Sequence, residues 1–196
     1  MFTGIIAAVG GVREIKPAAG GVRVTIDAGA LDCADVKIGD SIAVNGVCLT
    51  IVKLDAPRFA VDVSQETLSC TTGFAAQAKV NLEKSLRLAD RLGGHPVSGH
   101  VDGVGTVARF EAVGDNRLLA VDAPRGLAKY IARKGAIAIN GVSLTVNAVN
   151  GNLFEVNLIP HTLQATNLDA LTVGAGVNLE IDMLARYAER LTEFKN

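Results

Sequence analysis

Three polar side chains, Ser41, Cys48 and His100, could carry a proton or steady a developing charge, and each breaks an internal symmetry of the sequence. The run Asn45-Gly46-Val47-Cys48-Leu49-Thr50 returns as Asn140-Gly141-Val142-Ser143-Leu144-Thr145, 95 residues further on. At that offset Ser41 meets Ala136, Cys48 meets Ser143, His100 meets Ile5, Lys134 meets Gly39 and Ser64 meets Ile159. Other positions agree: Gly4 with Gly99, Asn45 with Asn140, Gly46 with Gly141, Thr50 with Thr145, and Thr67 with Thr162. Two like pockets in one chain suit a reaction between two copies of one substrate. If those copies become different products, the pockets must bind alike and act differently. Shared positions then hold the fold or the common ligand, and unshared ones carry general acid–base chemistry. Plainer readings stand beside these. A turn accounts for the Asn-Gly pairs, Cys48 in a strand is by default a small hydrophobe, and Lys134 before Gly135 reads as a solvated turn residue.

The elements that must position these groups follow the same repeat. Thr3-Gly4 and Val9-Gly10-x-Val12 meet Ser98-Gly99 and Val104-Gly105-x-Val107, and Phe59-x-Val61 meets Phe154-x-Val156. Val80-Asn81-Leu82-Glu83 matches Val177-Asn178-Leu179-Glu180 at an offset two larger, which places an insertion of about two residues near Ala170–Gly176. A copy of this length is a small domain rather than a solenoid unit. The first half predicts strands near Phe2–Val12, Val22–Asp27, Ser41–Val44, Cys48–Leu54, Phe59–Val63 and Lys79–Leu82, and across both halves helical turns are expected at the barrel mouths near Ala30–Val36, Gln65–Leu68 and Leu127–Arg133. About six short strands per half suggest an antiparallel barrel, because closure removes sheet edges. The predicted units are residues 1–94, residues 95–182, and a tail over 183–196, with a linker near Leu92-Gly93-Gly94. In the tail, Leu184, Tyr187, Ala188 and Leu191 recur at helical spacing opposite Arg186, Glu189, Arg190 and Glu193. The first half has no such helix, so it either packs on its own barrel or joins other subunits, and the second is expected.

Composition narrows the function. With 49% hydrophobic and 20% charged residues in a chain of 196, a packed core is expected, and a net charge of −1 argues against a nucleic-acid or anionic-membrane binder. No apolar run approaches the ~20 residues that span a bilayer. Three cysteines, an odd number with no CxxC, fit a reducing cytoplasm better than a disulfide framework. His95, His100 and His161 are the only imidazoles, and without HExxH or neighbouring cysteines no metal is expected. The glycine pairs do not make a dinucleotide fingerprint, and few aromatic rings are available to stack on a flat ligand.

Taken in order, Met1-Phe2-Thr3-Gly4-Ile5-Ile6, Asn45–Thr50, Gly93-Gly94-His95-Pro96-Val97-Ser98-Gly99-His100, and Lys134-Gly135 running to Asn140–Thr145 resemble the riboflavin synthase alpha-chain family over nearly the whole sequence. The resemblance implies a mostly β chain of tandem six-stranded antiparallel Greek-key barrels with short helices and a C-terminal amphipathic helix that builds a homotrimer. It implies dismutation of two 6,7-dimethyl-8-ribityllumazine molecules, with no cofactor, and it names lumazine synthase as a candidate partner. Its ligand-contact segments fall on Gly4, Ile5 and Ile6; Cys48, Leu49 and Thr50; Asp62, Val63, Ser64, Gln65, Glu66 and Thr67; Gly99, His100 and Val101; Lys134; Ser143, Leu144 and Thr145; and Asn157, Leu158, Ile159, Pro160, His161 and Thr162. Ser41, Cys48, His100 and Asp182 match positions with proposed catalytic roles. His161 stands where some members carry glutamate.

Overall fold

The computed structural model describes residues 1–194 and shows two closed antiparallel barrels followed by one helix. The last two residues of the 183–196 tail lie outside the described residues. The first barrel is built from β1 (Ala8–Ala18), β2 (Gly21–Asp27), β3 (Ser41–Val44), β4 (Val47–Asp55), β5 (Arg58–Ser64) and β6 (Lys79–Lys84), in the order β1-β2-β5-β4-β3-β6. The hairpin-linked run β3-β4-β5 returns to lie beside β2, which is a Greek key. The second barrel repeats it with β7 (Gly103–Val113), β8 (Asn116–Asp122), β9 (Ala136–Ile139), β10 (Val142–Asn150), β11 (Leu153–Leu158) and β12 (Gly176–Ile181). Short helices α1 (Gln65–Cys70) and α2 (Pro160–Ala165) follow β5 and β11, and α3 (Met183–Glu193) closes the chain. The inserted residues of the second half fall where a 3-10 turn forms at Asn167–Ala170, an element the first half lacks.

Alternation in the sequence decides which side chains reach the outer face. Val47, Leu49 and Ile51 of β4 fill the first barrel with Ile42 and Val44 of β3, which turns Cys48 and Thr50 outward. The sheet curls at β-bulges after Val12 and Ile51, and again after Val107 and Val146. These are repeat-equivalent places, so the closure device was copied with the strands. Asn45 and Asn140 sit at φ 48° and 47°, followed by Gly46 and Gly141 at 80° and 81°, which are the tight hairpins the dipeptides predict.

The hairpin turns do more than reverse the chain. A Cβ on Gly46 would lie 2.8 Å from the Gly141 nitrogen, and the reverse distance is the same, so the two turns meet backbone to backbone. Around them the Asn81 amide donates to the Asn140 carbonyl at 2.9 Å and the Asn178 amide to the Asn45 carbonyl at 3.0 Å. Phe2, Ala43, Val97 and Ala138 form a small apolar cluster between the barrels, with Cys48 at its edge.

Two expectations need correction. The first strand begins at Ala8, not Phe2, because residues 2–6 leave the barrel, which the chain rejoins where the Ala7 N–H bonds the Leu82 carbonyl. Ala30–Val36 forms turns rather than a helix: Asp32 accepts the Ala34 N–H at 2.9 Å and Asp40 accepts the Lys37 N–H at 2.8 Å, bonds that compete with helical ones. Near Leu127–Arg133 the helical part is only Ala128–Tyr130.

Candidate active site

The leading segment of each half crosses to the other half's barrel. Phe2 and Val97 exchange backbone hydrogen bonds at 2.7 and 3.0 Å where the two segments pass. Beyond that point the Gly4 carbonyl accepts the Ser143 N–H at 2.8 Å, and the Gly99 carbonyl accepts the Cys48 N–H at 2.8 Å. Ile6 then packs on the core of the second barrel and Val101 on that of the first. Gly4 and Gly99 hold φ of 73° and 81°, and a Cβ would stand 2.6 Å from Ser143 Cβ and 2.5 Å from Cys48 Cβ. Only glycine offers both the left-handed backbone and the close approach. Each site therefore mixes halves, with His100 on Cys48's side and Ile5 on Ser143's side.

Around Cys48 the structure gathers much of what the sequence nominated. Cys48, Glu66, Thr67, Gly99, His100 and Val101 line one cavity of about 240 Å³, with Val47, Cys70 and Thr71. Cys48 is half-buried and His100 exposed. The Ser64 hydroxyl caps α1 by accepting the Thr67 N–H at 3.1 Å, and it lies 3.0 Å from the Thr67 hydroxyl. That bond fixes the threonine at the cavity wall. Asp62 is instead engaged by Arg23 through two hydrogen bonds of 2.7 and 2.8 Å, which hold its carboxyl below the usual carboxylate range. Thr50 pairs with Ser41 across β3 and β4 on the outward face. Ser41 lines a separate cavity of about 330 Å³ with Asp40, Glu83, Lys84 and Arg87 among its walls, so within one chain it does not share a pocket with Cys48 and His100.

The Ser143 side is built differently. The Ser143 hydroxyl lies 2.7 Å from His95 Nδ1, and His95 is only 8% exposed with its Nε2 unpartnered among the described residues. Burial pushes this imidazole below its ordinary pKa, although Asp182 and Glu180 pull the other way. It is therefore neutral near pH 7. Lys134 sits at φ 68° where its counterpart Gly39 has 96°, and both donate their N–H to the same strand partner, Val146 or Ile51. A left-handed lysine costs about 1–2 kcal/mol relative to glycine, so its side chain is retained against a local penalty. Thr145 and Asn157 are exposed, Ile159 is 50% exposed, and His161 and Thr162 sit on α2 after Pro160. Asp182 caps α3, accepting the Leu184 N–H at 3.0 Å. Leu49, Val63 and Leu158 face barrel interiors, which leaves their backbone for a ligand, and Leu144 packs on the second core. Gln65 is exposed at the start of α1.

Sequence reasoning passed over His95 as a partner of Ser143, and over Glu83 and Glu180, which grip the crossing segments. The glutamates were visible as the last residue of the repeated Val-Asn-Leu-Glu run. Their role was hidden because they act on Thr3-Gly4 and Ser98-Gly99, about 80 residues away in sequence.

The lumazine binding domain family matches the chain twice, over residues 3–85 and 98–182. The riboflavin synthase of Photobacterium phosphoreum is 47% identical over 193 residues, covering 97% of this chain and 88% of that one. That of Brucella abortus (strain 2308) is 45% identical over 202 residues, covering all of both chains. The chain belongs to the riboflavin synthase family. The riboflavin synthase of Bacillus subtilis (strain 168) agrees at 38% identity over the whole of this chain and 92% of its own. Among solved structures, LumP complexed with riboflavin superposes with a TM-score of 0.84 at 27% identity, covering 92% of this chain and 99% of LumP. LumP complexed with 6,7-dimethyl-8-(1'-D-ribityl) lumazine gives 0.81 with the same coverage. As a family member the chain keeps both Asn-Gly-Val-x-Leu-Thr motifs, one on each barrel.

Proposed function

We propose that this chain converts two molecules of 6,7-dimethyl-8-ribityllumazine into riboflavin and 5-amino-6-(D-ribitylamino)uracil by passing a four-carbon unit from one to the other. The observation that carries this reading is the pairing of full-length family membership with two intact but chemically unlike half-sites. The C7 methyl of the substrate is an acidic carbon, because its anion delocalises into the pteridine. One molecule must lose that proton while the other accepts a nucleophile on its ring. Holding both in place contributes by proximity, and positioned acid–base groups do the rest.

The half-sites differ in the way such a division requires. The first offers the Cys48 thiol with the exposed His100 imidazole beside it as the proton-carrying group. The second offers the Ser143 hydroxyl against the buried, neutral His95, which holds that hydroxyl in one orientation. Thr50 and Thr145, Thr67 and Thr162, and the backbone at Gly4 and Gly99 serve binding in both. Ser41 and Asp182 stand outside the Cys48 cavity in one chain, and a second subunit bringing its own barrel is the arrangement in which they join the site.

The helix supports such an assembly. Its polar face is tied to its own barrel, Arg186 to Asp102 and Glu189 to Lys129 and Tyr130. Its apolar face is open, with Leu184, Tyr187, Leu191 and Phe194 between 63% and 72% exposed. We assign this face to homotrimer formation. Among the described residues no helix is long and apolar enough to cross a membrane, and the free cysteines suit a reducing cytoplasm.

The test is incubation of the purified chain with 6,7-dimethyl-8-ribityllumazine as sole substrate. Riboflavin fluorescence should grow in as the lumazine disappears. Tight binding without conversion would instead identify a carrier of the LumP kind.

A further inference from the structure

Two buried carboxylates occupy equivalent places at the ends of β6 and β12, and each grips the segment that crosses to the other barrel. Glu180 Oε1 accepts the Ser98 N–H and hydroxyl, both at 2.6 Å, and its Oε2 accepts the Gly99 N–H at 2.9 Å. Glu83 Oε1 accepts the Thr3 N–H and hydroxyl, both at 2.7 Å, and its Oε2 accepts the Gly4 N–H at 3.0 Å. The two are 4% and 7% exposed. A buried carboxylate is costly unless every lone pair facing a donor is used. Here N–H and O–H donors address both oxygens, a pattern only an acceptor-only group satisfies. A glutamine would turn its own NH₂ toward one of those donors.

What the clamps hold differs. At the end of the Glu180 clamp the Gly99 carbonyl accepts the Cys48 N–H at 2.8 Å, and the next side chain is His100. At the end of the Glu83 clamp the Gly4 carbonyl likewise accepts the Ser143 N–H at 2.8 Å, and the next side chain is Ile5, which has no proton to move. We propose that Glu180 is a positioning residue for the reaction, setting His100 beside Cys48 through Ser98-Gly99, whereas Glu83 sets Gly4–Ile6 and thereby serves ligand binding. The proposal rests on the reading of His100 as the proton-carrying group.

The experiment is a double-mutant cycle on the full chain, with kcat and KM for 6,7-dimethyl-8-ribityllumazine and the melting temperature recorded for each variant. Glu180→Gln should lower kcat about tenfold or more, the scale of a misplaced acid–base group, with KM little changed. Glu83→Gln should raise KM severalfold and leave kcat nearly alone. In the His100→Gln background Glu180→Gln should cost less than about twofold further, the usual scatter of additivity. Ser98→Ala removes one of the three bonds and keeps the carboxylate. It serves where Glu180→Gln fails to fold, and should show the same pattern at severalfold, vanishing again with His100→Gln. Factors that multiply in the double variant, equal kcat losses from the two glutamates, or wild-type kcat in Ser98→Ala would each overturn the proposal while leaving His100 its role. A fully active His100→Gln would overturn both.

Discussion

Replacing Gly99 by alanine tests whether the crossing segments build the site. Gly99 holds φ of 81°, and an added Cβ would stand 2.5 Å from Cys48 Cβ, 2.9 Å from its nitrogen and 3.0 Å from the Phe2 ring. Two of these neighbours are fixed, one backbone and one first side-chain carbon in a strand, so the segment must move rather than a flexible tip. Left-handed alanine costs about 1–2 kcal/mol, and overpacking a close contact about 1–3 kcal/mol. The sum, about 2–5 kcal/mol, corresponds to a melting temperature lower by about 4–20 °C for a chain of this size. Gly114→Ala isolates the first contribution, since Gly114 has φ of 58° with nothing within 4 Å of its Cβ position. That variant should lose only about 1–2 kcal/mol and keep full turnover. Gly99→Ala should in addition lose about a hundredfold in turnover per folded molecule, because a shift near 1 Å separates His100 from Cys48. Calorimetry and steady-state riboflavin formation measure both. If Gly99→Ala melts and turns over like Gly114→Ala, the close approach at Cys48 does not organise the reaction.

Further outcomes follow from the site and the helix. His100→Gln should lower turnover at least about tenfold while ligand affinity and melting temperature barely change; Cys48→Ser, which copies Ser143, should slow turnover and keep binding. Thr145→Ala should weaken ligand binding before it affects rate, read by fluorescence titration, since its threonine is shared by both halves. His95 is buried neutral with a lowered pKa, so the unfolded chain binds its proton first, near pH 6.5, and the stability it contributes is present above that pH and lost as pH falls below it. Melting temperature should thus decline faster below about pH 6.5 in the parent than in His95→Gln. A chain ending at Ile181 should keep both barrels folded yet sediment as a smaller particle with little activity.

Much of the architecture was legible because the repeat printed it twice. The Asn-Gly hairpins, the alternation of β4 and the two-residue offset near Ala170–Gly176 all have direct structural counterparts in local backbone preference and pleat. What the sequence concealed depends on which surface meets which. Phe2–Val12 reads as one strand because apolar residues dominate it, and nothing local reveals that residues 2–6 serve the other barrel. The same blindness set His100 against Ile5 as equivalents without showing that each lies beside the opposite half's Cys48 or Ser143. His95 lies 48 residues from Ser143 in sequence, and only folding brings it within 2.7 Å. Ser41 could be nominated by its mismatch with Ala136, but mismatch carries no direction, and the fold puts it in a different cavity from Cys48.

The central claim is that two copies of one ligand occupy two like half-sites that treat them differently. Its most direct measure is the number of 6,7-dimethyl-8-ribityllumazine molecules bound per chain in the slowed His100→Gln variant, by fluorescence titration at known active concentration. The account predicts two per chain, falling to one when Thr145→Ala is added. Saturation at one in His100→Gln itself, with Thr145→Ala making no difference, would contradict it.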